Sequence, residues 1–273
     1  MSATAPPPQQ ARPPKPAAPA KKDVKILMLH GYTQSGPLFR AKTRALEKML
    51  QKSLAPFHLS PVLLYPTGPS RLRPQDMPGY TPPEDGAAAA GEEEEGDNWA
   101  WWRRDDASGA YRFLTQGMDR LADTIQEAGG VDGVLGFSQG GAAAAMLAAA
   151  LEPDREVPQG PEWSWVERLR AANGHRPLSF AVIYSGFFAP PPELGWLYAP
   201  AIATPTLHFI GSLDTVVDET RTQALVDRCV DPAVLTHPGG HYVPISKEWV
   251  MPLVAFVKTH GEKLREEKAD AKI

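Results

Sequence analysis

The chain predicts an α/β fold in a single domain: a doubly wound, mainly parallel sheet of about six strands. Three observations carry that expectation. Short apolar runs alternate with amphipathic segments along most of the 273 residues. The runs are continuous in hydrophobicity, as strands buried on both faces should be. Several of them end at or near glycine, followed by a helical pattern.

The elements follow in order. Met1–Lys22 holds seven of the 29 prolines, four basic residues and no acid, and reads as a disordered polyproline-prone tail. Val24–His30 is the first buried strand. Phe39–Leu54 places Phe39, Leu46, Met49 and Leu50 on one helical face. Pro61–Tyr65 is a second short strand. Residues 71–97 read as a mobile insertion, because Pro and Gly punctuate them. Tyr111–Ala128 is an amphipathic helix closed by Gly129-Gly130. Val131–Phe137 is the third strand, and Gln139–Leu151 is an almost all-alanine helix that must pack closely on every side. A second insertion spans residues 152–176, with a short helix over Trp163–Ala171. Leu178–Tyr184, Pro205–Ile210 and Ala233–Thr236 are the last three strands, with helices over Glu219–Cys229 and Ser246–Arg265. The domain is thus expected over residues 23–266, with 267–273 a flexible C-terminus.

Charge and composition remove several functional classes. The net charge is −4, made of +4 from Met1–Lys22, −6 from Pro66–Asn98 and −2 from the remainder. A near-neutral body lacks the clustered Lys and Arg of a nucleic-acid footprint. Ala142–Leu151, the one long aliphatic run, is far below the roughly 20 residues of a transmembrane helix. One cysteine excludes an internal disulfide framework. No clustered metal-ligand spacing and no phosphate-binding glycine loop is present, so neither a metal nor an organic cofactor is expected. The N-terminal segment has no apolar stretch of a signal peptide, and a cytoplasmic location is the expectation.

Chemistry concentrates in Gly136-Phe-Ser138-Gln-Gly140. A G-x-S-x-G pattern alone is weak, but here it begins where an apolar strand ends and a helix starts. In such a turn the residues two before and two after the serine must lack bulk. The hydroxyl of Ser138 is then lifted above the sheet edge, and the Gln139 amide lies at a helix N-terminus that favours an anion. A serine needs a base, and the base needs an orienting acid. Ser212-Leu-Asp214 follows a later strand, and His237-Pro-Gly-Gly-His241 follows the last. Asp214 is preferred to Asp218, which falls at the next helix start. His241 is preferred to His237, which lies on or beside the strand. His208, inside a strand, reads as a satisfied core histidine, and His30 as a structural neighbour of the loop after the first strand. Cys229 has no base nearby.

Acyl transfer also needs donors for the developing oxyanion. Gln139 N–H supplies one, and the loop His30-Gly-Tyr32-Thr33 offers the Tyr32 N–H as a second. A strand order 2-1-3-4-5-6 places its switch point between strands one and three. The loop and Ser138 would then meet in one crevice.

The assembled pattern resembles the FSH family of serine hydrolases, small α/β-hydrolases that include esterases and thioesterases. The matching blocks are Lys25-ILMLHGYTQSG-Pro37, Phe39-Arg40, Trp101-Trp102, Asp132-GVLGFSQGG-Ala142, Tyr184-Ser-Gly-Phe187, Pro205–Gly211 with Asp214, and His237-PGGHYV-Pro244. The resemblance implies an α/β-hydrolase fold with Ser138 as nucleophile, Asp214 as acid and His241 as base. Two features depart from it: Ser35 stands where the family often has Asn, and both insertions exceed the family core.

The expected activity is cleavage of an acyl ester, with medium or long acyl chains preferred. Phe187, Tyr242 and Trp102 are the candidate pocket residues, although core packing explains Trp102 equally well. A thioesterase acting on a carrier or coenzyme A would use the same residues. A non-catalytic interaction protein on this fold is the alternative from another class. The expected partner is a small-molecule ester or thioester, and no protein partner is indicated.

Overall fold

Six strands pair side by side in the computed structural model, and every pairing is parallel. They are β1 (Lys22–Leu29), β2 (Leu59–Leu64), β3 (Gly133–Phe137), β4 (Phe180–Tyr184), β5 (Thr206–Gly211) and β6 (Ala233–His237). Their order across the sheet is β2-β1-β3-β4-β5-β6, so the direction of winding reverses between β1 and β3. The structure describes residues 21–77, 80–81 and 96–270, the last nine of these as helical backbone only. The expected tail up to residue 20, the centre of the first insertion and residues 271–273 lie outside the described residues.

Helices cover both faces, and the strands supply each face with alternate residues. Val24, Ile26 and Met28 of β1 join Leu135 and Phe137 of β3 beneath α1 (Gly36–Leu54) and the longest helix, Lys247–Asp270. Leu27, Leu29 and Val134 point the other way, under α2 (Leu114–Glu127), α3 (Gln139–Ala150) and α4 (Ser164–Ala172). That double burial is why the strands read as unbroken apolar runs. Each fully buried Leu or Ile contributes roughly 1.5–3 kcal/mol. The remaining helices are α5 (Glu219–Val226) and α6, the Lys247–Asp270 segment.

All twelve residues of α3 are buried. A Cβ on Gly141 would lie 3.0 Å from the Gly186 Cα and 3.2 Å from the Tyr184 carbonyl oxygen. The helix therefore rests almost backbone-to-backbone on the turn after β4. Its alanines keep it there, since larger side chains would lift it from the sheet.

Among the departures from expectation, four bear on the core and the site. β1 starts at Lys22, inside the expected tail, because Lys22 pairs with Leu59. α2 begins at Leu114, three residues late. Tyr111–Arg112 instead pairs antiparallel with Arg103–Arg104, the Tyr111 ring stacks on Trp102 at 4.9 Å, and Phe113 turns into the left-handed region at φ 66°. The second insertion is part of the core: Trp165, Val166 and Leu169 of α4 are buried, and the helix packs on α2. α6 continues to Asp270, through most of the stretch expected to be flexible. No helix among the described residues is long and apolar enough to cross a membrane.

Candidate active site

Ser138 sits between β3 and α3 with φ 55° and ψ −118°. A non-glycine residue there is strained, at a cost of order 1–3 kcal/mol that the surrounding structure must hold in place. The flanking glycines make the turn possible. A Cβ on Gly136 would run into the Gly140 carbonyl, and a Cβ on Gly140 would run into the carbonyls of Leu29 and His30. The Ser138 N–H donates to the Tyr184 carbonyl at 2.9 Å, which ties the turn to β4. Gln139 opens α3, a twelve-residue helix whose N-terminal end carries partial positive charge.

Two loops bring the partners. Asp214 follows β5 and is 8% exposed. Its Oδ1 accepts the Val216 and Val217 amides, both at 2.9 Å, leaving Oδ2 to face His241 Nδ1 at 2.7 Å. Burial alone would push this carboxyl up. Hydrogen bonds from His241 and the two amides outweigh it and hold the group below the usual carboxylate range. His241 Nε2 lies 2.9 Å from the Ser138 Oγ. Phe137 supports the imidazole from below, ring centroids 4.7 Å apart. The chain thus brings Ser138, His241 and Asp214 into one hydrogen-bonded line.

The competing residues lie elsewhere. Asp218 caps α5, its carboxylate accepting the Arg221 amide at 3.1 Å. The His237 ring packs edge-on against Tyr242 and Trp249, and neither ring nitrogen has a hydrogen-bond partner. His208 is fully buried in β5 and also lacks a partner at both nitrogens, so the expectation of a satisfied core histidine is corrected. Burial lowers its pKa to about 4.

The loop after β1 meets the Ser138 turn. A Cβ on Gly31 would lie 3.0 Å from the Phe137 ring and 3.4 Å from the Ser138 Cβ. Tyr32 follows directly, its phenol donating to the Asp76 carbonyl at 3.0 Å. Ser35 caps α1 by accepting the Leu38 amide at 3.2 Å, and its hydroxyl donates to the Asp97 carboxylate. The position where the family often carries Asn thus joins this loop to the end of the first insertion.

Of the candidate pocket residues, Trp102 is 2% exposed and stacked on Tyr111, leaving its indole almost no surface to offer. Phe187 is half-buried beneath the Arg221 guanidinium, 4.8 Å from its ring centroid. Tyr242 is 52% exposed. Sequence reasoning missed two residues of the same rim, Leu213 and Val216, which flank the acid and are 69% and 60% exposed. Their exposure is set by the fold of the loop around Asp214, so no pattern in the sequence singles them out. Among the described residues, no group of three or more His, Cys, Asp or Glu could hold a metal ion.

Comparison with known proteins agrees with this architecture. A family model described as "Serine hydrolase (FSH1)" matches residues 20–253. A Schizosaccharomyces pombe protein named dihydrofolate reductase is 36% identical over 82% of this chain and 44% of its own length. A Xenopus tropicalis protein named Esterase OVCA2 is 29% identical over 84% of this chain and 90% of that one. The chain spans about half the length of the first two relatives it matches. The crystal structure of Zea mays acyl-protein thioesterase 2 superposes with a TM-score of 0.53 at 20% identity, covering 90% of this chain and 96% of that one. The fold is that of the α/β-hydrolases.

Proposed function

The chain belongs to the FSH1 serine hydrolase family, and on that premise we propose that it cleaves acyl esters through a Ser138–His241–Asp214 triad. The observation that carries the reading is the continuous line of contacts, 2.9 Å from Ser138 Oγ to His241 Nε2 and 2.7 Å from His241 Nδ1 to Asp214. Asp214 fixes the tautomer with the proton on Nδ1, which leaves Nε2 free to take the serine proton. The hydroxyl attacks the acyl carbonyl, and the amides of Gln139 and Tyr32 receive the oxyanion. His241 then hands its proton to the leaving alcohol. Water, deprotonated by the same imidazole, releases the acid and regenerates Ser138.

The acyl chain is apolar and medium or long. Supporting this, Leu213, Val216 and Tyr242 expose apolar surface beside Asp214 and His241, where a bound chain would cover it. A thioester enters the same scheme with a better leaving group, and paired ester and thioester kinetics assign the physiological class. The test of the triad is Ser138→Ala, which should abolish nitrophenyl-ester turnover and covalent labelling by a fluorophosphonate. Labelling of another residue in that variant would remove Ser138 from the mechanism.

A further inference from the structure

An oxyanion donor stabilises charge only if its N–H is aimed before the charge forms. Gln139 N–H is aimed by the helix it opens, but Tyr32 belongs to a loop. Its N–H shares one rigid plane with the Gly31 carbonyl and points away from it. Whatever holds that carbonyl oxygen therefore aims the N–H.

His30 holds it. The imidazole is fully buried, with Nδ1 2.8 Å from the Gly31 oxygen and Nε2 2.9 Å from the Gly68 amide nitrogen. The Gly68 amide can only donate, so Nε2 must carry no proton. The single ring proton is then on Nδ1, where it donates to Gly31. Burial keeps the ring neutral by lowering its pKa to about 4, against smaller upward pulls from the Gly31 hydrogen bond and from Asp97.

The second donor is tied to the same histidine. The Trp101 indole stacks on His30 at 4.9 Å, and its Nε1–H donates to the His30 carbonyl at 2.9 Å. The Trp101 amide donates to Gln139 Oε1 at 2.9 Å, and Gln139 Nε2 donates to the Trp102 carbonyl at 2.8 Å. Gln139 thus offers its backbone to the oxyanion and uses its side chain to grip the Trp101-Trp102 segment, whose indole holds His30. Every member of this chain of contacts is buried.

We propose that His30 is a positioning residue, which through its Nδ1–H fixes the Gly31–Tyr32 peptide and, through Trp101 and the Gln139 side chain, locks the two oxyanion donors into one preassembled unit. The proposal rests on the oxyanion assignment made under the proposed function. It predicts that the donor to Gly31 matters for rate, beyond what the ring contributes to packing.

Two isosteric variants separate those roles. In His30→Asn the carboxamide N–H falls where Nδ1–H was, keeping the Gly31 bond and losing Gly68. In His30→Gln the side-chain oxygen reaches the Nε2 position, keeping Gly68 and losing the donor to Gly31. On a nitrophenyl ester, H30Q should lose about 10- to 100-fold in kcat, below the full loss of an oxyanion donor. Its KM should stay within about twofold, and its affinity for a boronic-acid mimic of the tetrahedral state should fall with kcat/KM. H30N should recover most of that loss. Equal losses in both variants, or a larger one in H30N, would overturn the proposal in favour of a tether to Gly68. If neither variant folds, Trp101→Phe decides: it keeps a stacked ring, removes the N–H to His30, and should lower kcat about 3- to 10-fold, whereas an unchanged kcat overturns the relay. Ser138→Ala run alongside separates the two levels. Turnover surviving in S138A sinks the triad itself; an inactive S138A with wild-type H30Q sinks only the role of His30.

Discussion

Ser138 and its two partners reach one another by opposite means. Ser138 is held by backbone against backbone: Gly136 and Gly140 bring β3, α3 and the end of β1 so close that no side chain fits between them. Asp214 and His241 stand on loops beyond β5 and β6, held by side-chain hydrogen bonds and bordered by apolar residues in solvent. The first region is a fixed platform whose residues are dictated by steric exclusion. The second is set by bonding pattern, and its tolerance to change should be read in kinetics more than in stability.

The sharpest way to break that contrast is Asp214→Asn. Both Val216 and Val217 amides donate to Oδ1, so the Asn oxygen must remain there and its NH₂ must face His241 Nδ1. Donor then meets donor, the imidazole shifts its proton to Nε2, and it can no longer accept from Ser138. kcat should fall about 10⁴-fold, roughly 5 kcal/mol in the barrier, with little change in melting temperature. A loss below about tenfold, with a larger one in Asp218→Asn, would move the acid to Asp218.

On the platform side, Gly140→Ala should cost more than about 3 kcal/mol or prevent folding, since its Cβ meets the Leu29 and His30 carbonyls. Gly240, beside His241, is the comparison. A Cβ there has the Leu213 oxygen at 3.4 Å as its nearest neighbour, an ordinary contact, and G240A should change the unfolding free energy read from a urea titration by less than about 1 kcal/mol. The close backbone approach to that loop is made by Gly211, at the end of β5, where a Cβ would lie 2.7 Å from the carbonyl oxygens of Gly239 and Gly240. Equal destabilisation by G140A and G240A would erase the distinction between the two regions.

What the amino-acid sequence makes legible divides along the same line. The sheet order, the Ser–Asp–His sequence of loops and the glycines around Ser138 follow from hydrophobic runs and steric demands that act within a few residues. The contacts around His30 do not. Gly68 is 38 positions away and Trp101 is 71, and no local pattern predicts that they meet. Nor does local pattern distinguish His30 from His208. His30 directly follows the apolar β1 and His208 lies inside the apolar β5, both are fully buried, and both have pKa values lowered to about 4, yet only one is bonded. The ribbon at Tyr111–Arg112 and the burial of α4 against α2 escaped for the same reason: tertiary packing decided them, not the neighbouring residues.

Those two histidines give the acid side of stability. Each is neutral when folded and takes a proton more readily when unfolded. Stability should therefore be intact above about pH 6.5, fall as pH drops towards 4, and lose nothing further from these groups below that. The full loss is on the order of 3 kcal/mol per histidine. His208→Leu should remove one share of this slope. It should also gain about 1–2 kcal/mol at pH 7, because an unbonded buried imidazole is replaced by an apolar side chain. Urea midpoints between pH 4 and 7 check both, and an unchanged slope in H208L would show that His208 does not titrate on unfolding.

The smallest effects belong to the exposed rim. Val216 is 60% exposed in the free protein, so Val216→Ser should alter stability by no more than about 0.5 kcal/mol. Its value, if a chain lies across it, appears only in the complex. Covering one such side chain is worth about 1 kcal/mol, which predicts a three- to tenfold loss in kcat/KM for a decanoate ester and none for acetate. Leu213→Ser, on the other side of Asp214, should behave in the same way. Trp102 is the control: buried and stacked on Tyr111, it should trade stability and leave the chain-length profile unmoved when replaced by Phe. Losses in V216S that are uniform from acetate to decanoate would mean that the acyl chain leaves the cleft along another path, and that the rim serves Asp214 instead of the substrate.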